Sequence, residues 1–204
     1  MTDPKDIRSV IPHHGEVLLY PGFFTVETAD ELMTSLLSNI PWKQEPIRIF
    51  GKEVMQPRLT CWMADKTVDY TYSGTTMKGK GWIEPADSIL DLVSAVAGIR
   101  FNGALFNLYR NGQDSMGWHR DNEKELGPNP VIASVTFGQE RVFRFRDYKT
   151  KKEKYEVLLT HGSLLIMKGE TQHYWEHSIP KSKSINDQRI NITFRQLGNF
   201  GESS

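Results

Sequence analysis

A single cysteine, Cys61, occurs among 204 residues, which excludes an internal disulfide and fits a reducing compartment. Its setting, Leu59-Thr60-Cys61-Trp62-Met63, is that of a packed thiol rather than a nucleophile. No apolar run approaches the roughly 20 residues of a membrane-spanning helix, so no membrane partner is expected. The first residues also lack the basic-then-apolar order of a secretion signal. There is no low-complexity tract, internal repeat or basic localisation run, and a bacterial cytoplasm is therefore favoured over a nucleus. Charge of one sign is missing too: 25 basic residues balance 25 acidic ones, so no bulk field announces a polyanionic partner.

The charges are nonetheless uneven. Lys43 to Lys80 holds seven basic residues against four acidic, with aromatics interleaved. Arg141 to Lys154 holds seven against at most three, counting Glu140 just outside. Basic plus aromatic reads as a nucleic-acid surface. The length supports one sizeable core, so a single domain is expected over 16–204 behind a loose tail over 1–15 whose His13-His14 pair faces solvent; the chain is also expected to be a monomer.

Val17-Leu18-Leu19-Tyr20 reads as a short strand. Thr28-Ala29-Asp30-Glu31 forms a capping box for a helix carried by Leu32, Met33, Leu36, Leu37 and Ile40 and stopped by Pro41. A second helix runs from about Pro85 to Ala97, with Ile89, Leu90, Leu92, Val93 and Val96 as its apolar face and Gly98 as its C-terminal cap. Between them lie short strands and turns: Ile47 and Ile49 alternate, Phe50-Gly51-Lys52 reads as a hairpin tip, and Tyr70-Thr71-Tyr72 puts two tyrosines on one face. From Phe101 onward the pattern gives strands over 104–110, 131–137, 141–146, 155–159, 163–167, 173–177 and 190–195. Many short strands imply a barrel or jelly roll, with the two helices backing a sheet.

Two stretches carry chemistry. In Gly117-Trp118-His119-Arg120-Asp121-Asn122, residues two apart on an extended strand share a face, so His119 and Asp121 point into one space. An imidazole and a carboxylate there make two-thirds of the facial triad of non-haem Fe(II) oxygenases. The third ligand comes from elsewhere, with His161, His173 and His177 as the candidates. In Arg189-Ile190-Asn191-Ile192-Thr193-Phe194-Arg195, alternation puts Arg189, Asn191, Thr193 and Arg195 on one face and three apolar residues on the other. Two guanidinium forks with amide and hydroxyl partners suit a dicarboxylate.

With Asn107-Leu108-Tyr109, His119-Arg120-Asp121, His177-Ser178-Ile179-Pro180 and the Arg189–Arg195 run in this order, the chain resembles the AlkB-type alkylation-repair dioxygenases of the 2-oxoglutarate and Fe(II)-dependent superfamily. The resemblance runs from about Glu16 to Arg195. It implies a mainly β protein with flanking helices, whose core is a double-stranded β-helix, or jelly roll, under an N-terminal nucleotide-recognition lid over 42–80. It implies His119, Asp121 and His177 as Fe(II) ligands, His177 being preferred for its Ser178-Ile179-Pro180 context. Asn107, Tyr109, Arg189, Asn191, Thr193 and Arg195 would hold the co-substrate 2-oxoglutarate, with Arg189 at its distal carboxylate and Arg195 near the chelating end.

The implied reaction consumes O2, converts 2-oxoglutarate to succinate and CO2, and hydroxylates an N-methyl group that is lost as formaldehyde. The implied substrate is alkylated DNA bearing 1-methyladenine or 3-methylcytosine. An RNA- or tRNA-acting member, and a non-catalytic nucleic-acid-binding module on the same fold, are the alternatives. Tyr70 and Tyr72, with Thr71 between them, match positions flanking an extruded base. Phe50, Gly51 and Lys52 match a base-probing hairpin, and Arg58 would reach the opposite strand from the same lid. Asn122 departs from the acidic residue that duplex-repair relatives usually carry after the ligand Asp, a change for which Glu123 partly compensates.

Overall fold

The computed structural model describes residues 6–49, 52–72 and 75–198. In chain order its elements are β1 (Arg8–Ser9), β2 (Glu16–Tyr20), α1 (Val26–Asn39), β3 (Pro46–Ile49), β4 (Lys52–Met55), β5 (Leu59–Ala64), β6 (Asp69–Tyr72), β7 (Thr75–Lys78), α2 (Ala86–Ala97) and β8 (Gly103–Tyr109). There follow β9 (Met116–His119), β10 (Ile132–Gly138), β11 (Arg141–Asp147), β12 (Lys154–Leu159), β13 (Ser163–Lys168), α3 (Thr171–Tyr174), β14 (Trp175–Ile179) and β15 (Arg189–Arg195).

Seven strands make one antiparallel sheet in the order β1-β2-β13-β10-β15-β8-β5, four make a second in the order β12-β11-β14-β9, and the hairpins β3-β4 and β6-β7 stand apart. Apolar side chains of both larger sheets meet in one core, among them Leu19, Tyr109, Phe143, Phe145, Met167 and Ile179. A second core, with Leu36, Ile89, Val93, Phe106, Val135 and Ile192, lies between the seven-stranded sheet and the helices. This is the expected jelly roll with helices packed on one sheet. No helix among the described residues is long and apolar enough to cross a membrane.

The large sheet is buried on both faces, and its sequence sorts side chains by parity. On β15, Ile190, Ile192 and Phe194 are fully buried toward the helices, each contributing roughly 1.5–3 kcal/mol by burial. On β10, Ala133, Val135 and Phe137 do the same. The opposite parity of β8, β10 and β15 carries the polar residues Asn107, Tyr109, Ser134, Arg189, Asn191, Thr193 and Arg195, which line the cleft between the sheets together with Leu105.

Several expectations need correction. The N-cap of α1 is Thr25, whose hydroxyl accepts from the Thr28 amide at 3.3 Å, so Thr28 lies inside the first turn rather than capping it. The helix stops where Ile40 turns extended ahead of Pro41, as the residue before a proline must. α2 ends as expected on Gly98 at φ 71°. Leu92 and Val96, however, are 45% and 39% exposed: at 100° per residue Leu92 falls about 60° outside the stripe formed by Ile89, Leu90 and Val93, whereas Val96 keeps the stripe's azimuth but lies in the last turn of the helix.

The tail expected over 1–15 is tied down wherever it is described. Arg8 and Ser9 pair with Leu19 and Leu18, Ile11 is buried, His14 stacks on Tyr174 and the Trp175 indole donates to the His13 carbonyl at 3.1 Å. The strand expected over 173–177 begins instead at Trp175, His173 lying in α3. Nor is 42–80 one lid: β5 joins the large sheet beside β8, from Leu59 opposite Leu108 to Ala64 opposite Gly103, leaving only the two hairpins outside it. Cys61 on β5 is the packed thiol expected, pushed by burial up to about 11.

Candidate metal and 2-oxoglutarate site

Three neighbouring strands supply the floor of the cleft. Register sets Asn191 opposite Asn107 and Arg189 opposite Tyr109 on one side of β15, and Asn191 opposite Thr136 and Thr193 opposite Ser134 on the other. Asn191 is fully engaged: its amide nitrogen donates to Ser134 Oγ at 2.7 Å and to the Val135 carbonyl at 3.2 Å. Its oxygen accepts from Thr193 Oγ1 at 3.0 Å and from Asn107 Nδ2 at 3.3 Å. It is thus a brace for its neighbours.

Arg189 is different. It is fully buried, donates from Nη2 to Thr136 Oγ1 at 2.9 Å, and leaves Nε and Nη1 with no partner among the described residues. Desolvation lowers its pKa to about 10. A buried guanidinium with two unmatched nitrogens is costly unless an anion meets it. This guanidinium and that of Arg141 both lie over the Tyr109 ring, 5.1 and 5.7 Å from its centroid.

The four-stranded sheet supplies the wall. Phe145, His177 and His119 are successive partners across β11, β14 and β9. One donor atom each from His119, Asp121 and His177 lies within 4.8 Å of the others, in reach of a single ion with donors about 2 Å away. Each ligand is held differently. His119 sets Nδ1 against the Gly117 carbonyl at 2.9 Å, which leaves Nε2 for the ion. Asp121 takes Arg195 Nη2 on Oδ1 at 2.8 Å and keeps Oδ2 toward His177. His177 is stacked on Phe143, 24° between planes at 5.2 Å, while its buried Nδ1 has no partner among the described residues.

The electrostatics suit a cation. Burial alone would raise the Asp121 carboxyl, but Arg195 and the two imidazoles outweigh it and hold the group below the ordinary carboxylate range. Burial, reinforced by His119, pushes His177 down to about 3. Burial lowers His119 as well, against the pull of Asp121. Two neutral imidazoles and an ionised carboxylate are the state in which these groups bind a metal.

The other candidates for third ligand lie elsewhere. His161 Nδ1 accepts from the Gly138 amide at 2.8 Å, and His173 Nε2 faces the Pro128 carbonyl and Asn129. Arg58 is a correction: it is buried, donating to Asn107 Oδ1 at 2.7 Å and toward the Ser115 carbonyl, so it braces the floor instead of reaching a second strand. The basic segment also shrinks on inspection. Arg141 is buried against backbone carbonyls of Asp114 and Pro180, Arg144 pairs with Glu156, and Arg146 and Lys151 both pair with the buried Glu176. Lys149, Lys152 and Lys154 remain as exposed charge.

Asn122 is exposed and Glu123 half-buried beside Asp121, where both border a neighbouring groove with Pro128 and His173. Lys52, Tyr70, Thr71 and Tyr72 lie on the hairpins β3-β4 and β6-β7; Phe50 and Gly51 fall outside the described residues. Sequence reading missed Ser134, Thr136, Met116, Phe143, Met167 and Gln172. The first two could have been found, since they interrupt an apolar strand at the same parity.

A family profile described as "2OG-Fe(II) oxygenase superfamily" matches residues 16–195. The chain is 40% identical over 191 residues to human "Alpha-ketoglutarate-dependent dioxygenase alkB homolog 3", covering 89% of this chain and 66% of that protein. It is 38% identical over 188 residues to human "DNA oxidative demethylase ALKBH2", covering 87% and 72%. It is 36% identical over 209 residues to the protein of that name in Arabidopsis thaliana, covering 89% and 67%. The chain thus spans about two thirds of the length of these relatives. Among solved structures, "The structure of OsALKBH1" superposes with a TM-score of 0.66 at 15% identity, over 93% of this chain and 99% of that one, a likeness of fold.

Proposed function

The chain belongs to the 2OG-Fe(II) oxygenase superfamily, in its AlkB branch, and we propose that it is a dioxygenase that oxidatively demethylates N-alkylated bases in DNA. The observation that carries this reading is the pairing of two features across one cleft. A His-Asp-His set stands on one sheet, and a buried arginine with unmatched N–H groups stands on the other.

In this reading His119, Asp121 and His177 hold Fe(II), and Arg189 grips the distal carboxylate of 2-oxoglutarate beside Tyr109 and Thr136. Arg195 fixes Asp121 through Oδ1, so the carboxylate binds through its other oxygen. Leu105, Met116, Phe143, Met167 and Ile179 line the same cleft and exclude water from it. Fe(II) with 2-oxoglutarate and O2 supplies the oxidising equivalent when bound, with succinate and CO2 as by-products. An enzyme acting on a base must first take it out of the stack; the hairpins carrying Lys52 and Tyr70 to Tyr72 are the elements we assign to that task.

The relatives named as DNA oxidative demethylases favour DNA over RNA as substrate. The test is mass spectrometry of DNA and RNA oligonucleotides carrying one 1-methyladenine or 3-methylcytosine, incubated with Fe(II), 2-oxoglutarate and ascorbate. The expected result is loss of one methylene per lesion from DNA, dependent on both additions. Turnover confined to the RNA strands would overturn the substrate assignment, and no mass change on any strand would overturn the demethylase reading.

A further inference from the structure

Asp121 lies beyond the end of its strand. β9 stops at His119, and its pairing to β14 is already irregular between His177 and Ile179. Sheet hydrogen bonds therefore do not fix the carboxylate-bearing residue. Arg195 holds its carboxylate at 2.8 Å, and two contacts hold the backbone around it, both leading to the single helical turn α3. Gln172, fully buried, accepts the Asp121 backbone N–H on Oε1 at 3.0 Å, and its Nε2 rests on Met167 Sδ at 3.7 Å. In the reverse direction, Arg120 donates from Nη1 to the Gln172 carbonyl at 3.2 Å and to the His173 carbonyl at 3.3 Å. The Arg120 guanidinium is itself held face-on by the Tyr148 ring, 3.6 Å from the centroid.

We propose that Gln172 and Arg120 are positioning residues that clip the His119–Asp121 segment to α3 and thereby set the geometry of the metal site. The arrangement joins the two ligand-bearing parts of the chain, because α3 runs directly into β14, which carries His177. One side chain from each part bonds backbone of the other. The spacing between Asp121 and His177 is thus fixed by reciprocal bonds rather than by strand register. Buried amide groups make such contacts directional: the Gln172 oxygen accepts the Asp121 N–H in a buried setting, where losing the acceptor is costly. Groups that orient metal ligands from behind typically change metal affinity 10- to 100-fold when removed.

The inference rests on the ligand assignment above, so the test separates the two. Co(II) is titrated into the metal-free protein and followed by its visible absorption, for the parent, His119→Ala, Gln172→Met, Gln172→Glu and Arg120→Met. Thermal melting of each metal-free protein is recorded alongside. Gln172→Met keeps the shape and removes the acceptor; its Co(II) dissociation constant is expected to rise at least tenfold with an altered absorption band. Gln172→Glu keeps an oxygen at the same place and is expected to stay within about threefold of the parent, since the bond that orients the ligand survives. Arg120→Met should weaken binding in the same direction and serves if Gln172→Met does not fold. Parent-like Co(II) affinity and spectrum in a folded Gln172→Met, or in Arg120→Met where it stands in, would overturn the clip while leaving the ligand set intact. Unaltered Co(II) binding by His119→Ala would instead overturn the ligand assignment itself.

Discussion

At the residue level, Arg189 is a fully buried cation whose Nη2 bonds the Thr136 hydroxyl and whose Nε and Nη1 have no hydrogen-bond partner among the described residues. On the proposed function, a co-substrate carboxylate offsets that cost. Arg189→Ala should therefore lose about 2 to 5 kcal/mol of 2-oxoglutarate binding, a rise in KM of roughly 30-fold or more, while Arg189→Lys recovers only part because a point charge cannot grip both oxygens. The check is KM for 2-oxoglutarate at saturating nucleic acid, and an unchanged value would remove the co-substrate pocket. Arg189 was legible in the sequence because a strand alternates. The same parity rule set Asn191, Thr193 and Arg195 beside it. Arg58 was not legible, because strand membership of the residues after it decides that it turns inward to Asn107.

At the scale of elements, most strands and both helix stops announced themselves and the start of α1 did not. Thr28 and Glu31 have the spacing of a capping box, but Thr25 captures the role because its oxygen already meets the Thr28 amide. Thr25→Ala should accordingly cost about 1 kcal/mol in a chemical denaturation experiment, and Thr28→Ala much less. Equal losses, or a greater loss at Thr28, would restore the original capping assignment. The short helix α3 was hidden for a different reason. His173 and Tyr174 stand directly before a strand and continue its pattern, and the turn at Gly169 with the Thr171 hydroxyl bonded to the Lys168 carbonyl bends them out of it. Propensity is a weak prior where such tertiary bonds exist.

For the whole molecule, burying the metal ligands together makes the metal-free fold sensitive to acid. His177 is held near 3 against an ordinary value of 6.5, so below pH 6.5 the unfolded chain takes up a proton that the folded one refuses. Stability is then lost at about 1.4 kcal/mol per pH unit from this group. Asp121 acts in the same sense lower down, since its lowered pKa gives stability that is present above 3.8 and is lost as pH falls further. Thermal melting of metal-free protein should therefore decline steadily from pH 6.5 toward 4, and less steeply in His177→Leu; a flat profile would show the imidazole to be solvated.

The local run of bases is a poor guide at this scale. Four of the seven bases between Arg141 and Lys154 are consumed by carboxylates or carbonyls within the fold.

We assign His119, Asp121 and His177 as the iron site, with His161 and His173 outside it. The decisive measurement is formaldehyde release from an oligonucleotide bearing one 1-methyladenine, with and without added Fe(II), for His161→Ala, His173→Ala and His177→Ala. Near-parental iron-dependent release is expected for His161→Ala and His173→Ala and none for His177→Ala; near-parental release by His177→Ala would remove His177 from the iron site.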